Sequence, residues 1–180
     1  MNRLSLLVAA TAVVVLAAGG GARAAEKVEL KNVHMCCEGC AEEAAAILGK
    51  VDGVSGVTTD KKARSAAFTA TDAKAAQKAL DALAAGGFHG DPGKDKGYAF
   101  KDDSGVKAGQ VKTLTVTGFH NSCPGCVKSL QEAVKGVKGA TEVSAKSRVS
   151  SAVVTGEFDA AELVKALNAA GFHVKVEEKK

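Results

Sequence analysis

All five cysteines of this 180-residue chain lie in two short segments. Each segment contains a Cys-x-x-Cys pair, Cys37 with Cys40 and Cys123 with Cys126, and a further cysteine, Cys36, directly precedes the first pair. Two thiolates two residues apart, at the junction of a strand and a helix, can turn toward one point and bind soft ions such as Cu(I) and Zn(II). The helix N-terminus beside the second thiol favours its thiolate form. With only two protein ligands each, the pairs predict two open soft-metal sites rather than closed structural zinc sites.

The same cysteines have two other interpretations. A disulfide within a Cys-x-x-Cys pair closes a very small loop and therefore stabilises a fold little. The pairs can instead exchange disulfides, which makes a thiol–disulfide redox protein the alternative function, with Cys36 as a resolving thiol. Against this alternative, no aromatic residue directly precedes either pair, and the chain lacks a thioredoxin-like order of strands. A partner-binding module with oxidised cysteines is the third interpretation.

The two cysteine segments belong to an internal repeat. An offset of 86 residues superposes the loops, and an offset of 84 residues superposes residues 85–89 on residues 169–173. In each repeat the hydrophobic pattern follows the order βαββαβ, which predicts an α+β fold with two helices on one face of a four-stranded sheet. Asp72 and Asp159 are predicted to cap the second helices, and Phe88 and Phe172 to begin the last strands.

The repeat also predicts the domain organisation. We expect a first domain at residues 25–90, a linker rich in glycine and charged residues at 91–110, and a second domain at 111–180. Each repeat spans about 65 residues, which is enough for a small domain to fold alone. Because the linker is long, we expect the two domains to be independent.

The four histidines and two residues of the cysteine loops are further candidates for the metal site. Histidine nitrogens bind soft ions or adjust the thiolates from outside the coordination sphere. The candidates for additional ligands are Cys36, His34 and His120. The residues expected to influence the site without binding the ion are Met35, Asn121, His89 and His173.

Residues 1–24 have the pattern of a cleaved signal peptide. Arg3 precedes an apolar run from Leu4 to Ala18, and Ala22-Arg23-Ala24 fits a small-x-small cleavage site. The run is too short for an ordinary membrane span of about 20 residues, although an uncleaved membrane anchor is the alternative. We therefore expect cleavage before Ala25, a periplasmic or secreted protein, and no membrane span after cleavage.

Charge and aromatic content argue against nucleic acid as a partner. Removing residues 1–24 removes two arginines and no acid, so the formal net charge falls from +4 to +2. The lysines alternate with acidic residues and form no basic patch. The chain has no Trp and one Tyr, so it lacks the aromatic platforms on which bases stack.

The first cysteine loop, residues 35–40, reads Met-Cys-Cys-Glu-Gly-Cys and matches a Met-x-Cys-x-x-Cys motif. That motif is typical of heavy-metal-associated domains, the family of copper chaperones, of modules of copper-pumping ATPases and of the periplasmic mercury-binding protein. The chain resembles two tandem domains of this family over residues 27–90 and 111–177. The resemblance implies the ferredoxin-like fold. It also implies that the metal ligands are Cys37, Cys40, Cys123 and Cys126.

The second loop departs from the family pattern in two respects. Asn121 stands where the family has Met, and Phe119 and His120 lengthen the loop by two residues. Cys36 is also additional, and Ser122 holds its place in the second repeat. The two loops are therefore unequal.

Together these features predict an exported, non-enzymatic protein that holds a soft metal ion for buffering, detoxification or transfer. Cu(I) is the expected ion because an open two-thiolate site suits its linear coordination, and Hg(II), Zn(II) and Cd(II) are the alternatives. The expected partner is another cysteine-bearing metal-transfer protein or a metal transporter, which would receive the ion by exchange of thiolate ligands.

Overall fold

The computed structural model describes residues 25–94 and 96–177, and the predicted signal peptide at 1–24 lies outside the described residues. None of the described helices is both long and apolar enough to span a bilayer. The described residues form seven strands and four helices. Their bounds are β1 Glu26–Leu30, α1 Glu38–Leu48, β2 Val54–Asp60, β3 Ser65–Ala70, α2 Ala73–Ala85, β4 Gln110–Thr117, α3 Pro124–Lys135, β5 Ala140–Ala145, β6 Ser151–Asp159, α4 Ala160–Ala169 and β7 Lys175–Glu177.

The sheets confirm the predicted α+β class. In the second repeat four antiparallel strands lie in the order β5-β6-β4-β7, and in the first repeat three lie in the corresponding order β1-β3-β2. The second repeat therefore has the complete ferredoxin-like arrangement, and the first has three of its four strands in the same order. Strands β1 and β4 lead into the cysteine loops, and their pairing with β3 and β6 holds each loop at the end of a sheet.

Each repeat has its own hydrophobic core. Alternate residues of β3 are buried while those between them are partly exposed, which directs one face of the sheet toward the helices. Each fully buried Leu or Phe side chain contributes about 1.5–3 kcal/mol. The largest fully buried side chains are Leu30, Leu48, Phe68, Leu80, Leu83 and Phe88 in the first core and Phe119, Leu130, Phe158, Leu163, Leu167 and Phe172 in the second.

The predicted N-caps of the second helices are confirmed. The Asp72 carboxylate accepts a hydrogen bond from the backbone N–H of Ala75 at 2.7 Å. The Asp159 carboxylate accepts hydrogen bonds from the backbone N–H groups of Ala161 and Glu162 at 2.9 and 3.1 Å. Each carboxylate occupies donors that have no partner within the helix, so the caps fix where α2 and α4 begin.

The last strand of the first repeat differs from the prediction. Phe88 starts no strand in its own sheet and instead forms an isolated antiparallel bridge with Phe172 of the second repeat. The backbone N–H of His89 donates to the Gly171 carbonyl at 2.8 Å, and that of His173 donates to the Gly87 carbonyl at 3.0 Å. These hydrogen bonds join the two repeats at the position where the sequence predicted the start of a strand.

The linker does not separate the repeats, and the expectation of independent domains is wrong. Tyr98 is buried and its hydroxyl donates to a carboxylate oxygen of Glu26 in β1 at 3.2 Å. The Ser104 carbonyl accepts a hydrogen bond from the backbone N–H of Val176 in β7 at 2.8 Å. Glycine content predicts a flexible chain, but the segment is held by contacts to both repeats that its composition does not reveal.

Candidate metal centre

Each cysteine pair lies where a loop enters a helix. Cys37 and Cys123 are the N-cap residues of α1 and α3, both with extended backbone. Cys40 and Cys126 lie in the first helical turns and are buried. Pro124 follows Cys123 as the first residue of α3, a position where its missing N–H costs nothing. The positive end of each helix dipole therefore lies beside a pair of thiols, as the spacing predicts.

The two loops face each other and form one cluster of sulfur atoms. The Sγ atom of Cys40 lies 3.4 Å from that of Cys37 and 3.8 Å from that of Cys126. The Sγ atoms of Cys123 and Cys126 lie 3.6 Å apart. The expectation of two separate sites is therefore wrong for the geometry, because sulfur atoms of the two pairs are in contact.

Cys36 occupies the middle of this cluster. Its Sγ atom lies 3.5 Å from that of Cys40, 3.3 Å from that of Cys123 and 3.4 Å from that of Cys126. It therefore contacts the pairs of both repeats. Its counterpart Ser122 places a hydroxyl 3.8 Å from the Cys40 sulfur.

The residues that lengthen the loops form the interface between the repeats. His34 stacks on Phe172 of the second repeat with ring centroids 4.1 Å apart. His120 stacks on Phe88 of the first repeat at 4.2 Å. Phe119 is buried as well. Of the two extra residues of the second loop, His120 is therefore used in docking, whereas Phe119 packs in the second core.

Two glycines allow this close approach. Gly87 has φ +78 and Gly171 has φ +93, in the left-handed region that favours glycine. A Cβ atom on Gly87 would overlap the backbone of residues 118–120, and one on Gly171 would overlap the backbone of residues 32–34. Each glycine thus packs directly against the loop that leads to the other repeat's cysteines.

The histidines that precede the cysteine pairs are not equivalent. A ring nitrogen of His34 lies within 4.8 Å of the sulfurs of Cys36, Cys40 and Cys126, and burial lowers the pKa of His34. In contrast, His120 Nε2 lies 3.1 Å from the Ser122 hydroxyl, and its Nδ1 lies 3.6 Å from a carboxylate oxygen of Glu43. Both nitrogens of His120 therefore have polar neighbours, although both histidines help to lower the pKa of Cys40. Of the two, His34 is the one that belongs to a group of four possible metal donors.

His89 and His173 lie at a different part of the interface. Their Nδ1 atoms are 3.2 Å apart, and His173 Nε2 lies 2.6 Å from a carboxylate oxygen of Asp103. The ring of Phe100 packs on His89 at a centroid distance of 4.4 Å. Burial, with a smaller effect of His173, lowers the pKa of His89 to about 4. These contacts tie the linker to both repeats. The sequence analysis did not predict this role, although Gly-Phe-His occurs in both repeats and was a signal for it.

Met35 and Asn121 hold the loops in different ways. Met35 is buried in the first core. The side-chain amide of Asn121 donates to the carbonyls of Lys146 and Val149, both at 2.8 Å. Asn121 therefore ties the second cysteine loop to the turn between β5 and β6, where a methionine could not make these bonds.

The thiols of the cluster differ in acidity. A hydrogen bond with Cys40 lowers the pKa of Cys126 to about 6, and a hydrogen bond with the backbone of Cys123 adds to this effect against the opposing effect of burial. Burial raises the pKa of Cys36, and its bonds to Cys123 and Cys126 raise it further. In the metal-free cluster a proton is therefore held more firmly by Cys36 than by Cys126. A soft ion bound by both thiols must displace that proton.

Comparison with known proteins gives one family match and several solved structures. Residues 121–173 match the profile of the heavy-metal-associated domain. Oxidised MerP from Ralstonia metallidurans CH34 is 28% identical over 37% of this chain and 97% of its own, with a TM-score of 0.32. The N-terminal soluble domains of Bacillus subtilis CopA are 15% identical over 85% of this chain and 94% of their own, with a TM-score of 0.30. No curated protein matches the chain.

The family match covers the second cysteine pair and the helices that follow it. It therefore includes Cys123, Cys126 and the Gly-Phe-His segment that ends at His173. The resemblance predicted from the sequence is confirmed over residues 121–173, which match the heavy-metal-associated domain.

Proposed function

We propose that the protein is exported and holds Cu(I), with thiolates of both repeats, for buffering, detoxification or transfer to a partner. The observation that carries this proposal is the convergence of five sulfur atoms from two helix N-termini, with contacts of 3.3–3.8 Å. Thiolates select soft ions. The proposed ligands are Cys37, Cys40, Cys123 and Cys126, with Cys36 as an additional one.

The spacing of the sulfurs suits a shared ion better than two linear sites. Two thiolates on opposite sides of an ion, each at a bond length of about 2.3 Å, would be about 4.6 Å apart, whereas neighbouring corners of a tetrahedron would be about 3.8 Å apart. The sulfurs of Cys37 and Cys40 are 3.4 Å apart. Three or four thiolates around one ion therefore fit the cluster, and Hg(II), Zn(II) and Cd(II) are competitors to be compared with Cu(I).

Partial exposure supports a route for transfer. Cys37 and Cys123 are partly exposed, whereas Cys40 and Cys126 are buried. An incoming thiolate of a metal-transfer protein or transporter would bind the ion on the side of Cys37 or Cys123. One of these two thiolates would then leave, and the ion would pass to the partner without any net redox change or enzymatic turnover.

A competition titration tests the proposal. Reduced protein is titrated with Cu(I) against a chromogenic chelator, alongside variants in which Cys37 and Cys40, or Cys123 and Cys126, are changed to Ser. Because the centre is shared, each double variant should lose affinity by about tenfold or more. Competition no stronger than that of the variant lacking all four cysteines would refute metal binding.

Two further measurements test the remaining parts of the proposal. Catalysed reduction of a disulfide substrate, lost on the same cysteine changes, would favour the thiol–disulfide alternative. Amino-terminal sequencing of protein recovered outside the cytoplasm should begin at Ala25 if residues 1–24 are a cleaved signal peptide. An intact amino terminus in a membrane fraction would favour the uncleaved anchor.

A further inference from the structure

The cluster contains two overlapping sets of four donor atoms. One set consists of the Sγ atoms of Cys36, Cys37, Cys40 and Cys123. The other consists of a ring nitrogen of His34 and the Sγ atoms of Cys36, Cys40 and Cys126. Within each set the atoms all lie within 4.8 Å of one another, and the sets share Cys36 and Cys40.

His34 has the properties of a ligand independently of these distances. The residue is 2% exposed, and its Nε2 atom is buried with no hydrogen-bond partner among the described residues. Buried polar atoms normally have a partner, so this nitrogen calls for an explanation. The equivalent His120 has polar neighbours at both nitrogens, Ser122 and Glu43. The first repeat thus supplies one histidine donor that the second does not.

The number and spacing of the donors match a pair of ions. Two four-coordinate ions that share an edge use six donor atoms, two bridging and two terminal on each ion. The cluster offers five sulfurs and one nitrogen, and two of the sulfurs belong to both sets. The shared sulfurs, of Cys36 and Cys40, are 3.5 Å apart, close to the edge of about 3.8 Å expected for a tetrahedron of thiolates.

We infer that the cluster binds two soft metal ions bridged by the thiolates of Cys36 and Cys40. One ion would also be bound by Cys37 and Cys123, and the other by His34 and Cys126. This inference rests on the proposed function, because it specifies how many ions the same cysteines hold. It also gives Cys36 a role, because the other five donors could not provide four ligands to each of two ions. The second repeat has Ser122 at the equivalent position.

The number of bound ions tests the inference. Reduced protein is incubated with excess Cu(I), freed of unbound metal, and weighed by native mass spectrometry. The unaltered protein should carry two Cu(I) ions and Cys36→Ser one. Ser122→Ala, which changes the matching position of the second repeat, should still carry two. Circular dichroism of each variant checks that it is folded.

X-ray absorption spectroscopy of the unaltered protein tests the bridge without any substitution. Bridging sulfurs 3.5 Å apart with metal–sulfur bonds of about 2.3 Å place the ions about 3 Å apart, so a copper–copper signal is expected at that distance. His34→Phe keeps a ring to stack on Phe172 but removes the nitrogen. It should weaken binding of one of the two ions by about tenfold or more.

The inference and the proposed function can fail separately. The bridged pair would be overturned by a single Cu(I) per chain at saturation. It would also be overturned if Cys36→Ser retained two ions with unchanged affinity and no copper–copper signal were seen. Either result would leave Cu(I) binding intact. Absence of Cu(I) binding above the cysteine-free background would overturn both.

Discussion

The Sγ atom of Cys36 in the first repeat lies 3.3 Å from the Sγ atom of Cys123 in the second. The two residues are 87 positions apart in the chain. Their contact joins two loops that the sequence presents as separate, and it makes the metal centre depend on how the repeats dock.

Oxidation of the metal-free protein should trap this contact. Diamide takes two electrons and two protons from a pair of thiols, and the Cys36 and Cys123 sulfurs need move only slightly to form a disulfide. Peptide mapping without reduction should therefore find a Cys36–Cys123 cross-link beside those within the pairs. Cys36→Ser should abolish it. Only Cys37–Cys40 and Cys123–Cys126 disulfides in the unaltered protein would contradict the observed proximity.

Gly87, at the interface between the repeats, should tolerate no side chain. Gly87→Ala places a Cβ against the backbone of His120 and Gly118, so we expect a loss of about 3 kcal/mol in the free energy of unfolding and weaker Cu(I) binding. Gly93→Ala is the matched control, because Gly93 has a similar φ of +85 but no atom within 4 Å of a Cβ. The control should lose about 1–2 kcal/mol and keep its Cu(I) affinity.

Equal losses in the free energy of unfolding for Gly87→Ala and Gly93→Ala, measured with urea, would show that backbone strain alone causes the destabilisation. The docking contact at Gly87 would then contribute nothing measurable.

Restoring the family motif in the second loop should destabilise this protein. Asn121→Met removes the amide that donates to the carbonyls of Lys146 and Val149, and burying carbonyls without a donor costs about 1–3 kcal/mol. Met35→Leu in the first loop keeps the volume of a buried apolar side chain and should cost less than about 1.5 kcal/mol. Urea unfolding compares the two. An Asn121→Met protein as stable as the unaltered one would contradict the role assigned to this amide.

Acid should weaken the fold through His89. Burial and His173 lower the pKa of His89 from 6.5 to about 4, so between these values the unfolded chain binds a proton that the folded protein does not. The contribution of neutral, buried His89 to the free energy of unfolding is therefore complete above pH 6.5 and is lost as the pH falls toward 4. Its maximum is about 3 kcal/mol.

Unfolding free energies measured from about pH 7 down to about pH 4 should fall more steeply for the unaltered protein than for His89→Gln. The difference between the two proteins isolates His89 from other groups that titrate in the same range, such as His34. Parallel curves would indicate that His89 is accessible to protons in the folded state.

Local signals in the sequence account for most of the secondary structure. The Asp72 and Asp159 caps, the alternation in β3 and the helices that begin at the cysteine pairs all follow from interactions within a few residues. Phe88 shows where this reasoning fails. Its hydrophobic segment has the pattern of a strand, but the pattern does not say which backbone it pairs with, and it pairs with Phe172 of the other repeat.

The sequence by itself determined that this protein has two repeats that share the order βαββα, that each presents a thiol pair at a helix N-terminus, and that the pairs are suited to soft metals. These properties depend on residue type, spacing and short-range hydrogen bonds, which can be read along the chain. Only the tertiary structure decided that the pairs form one cluster, that Cys36 contacts both of them and that His34 rather than His120 belongs to a set of four possible metal donors. The docking of His34 on Phe172 and His120 on Phe88 depends on complementary surfaces far apart in sequence, and no local pattern encodes their meeting.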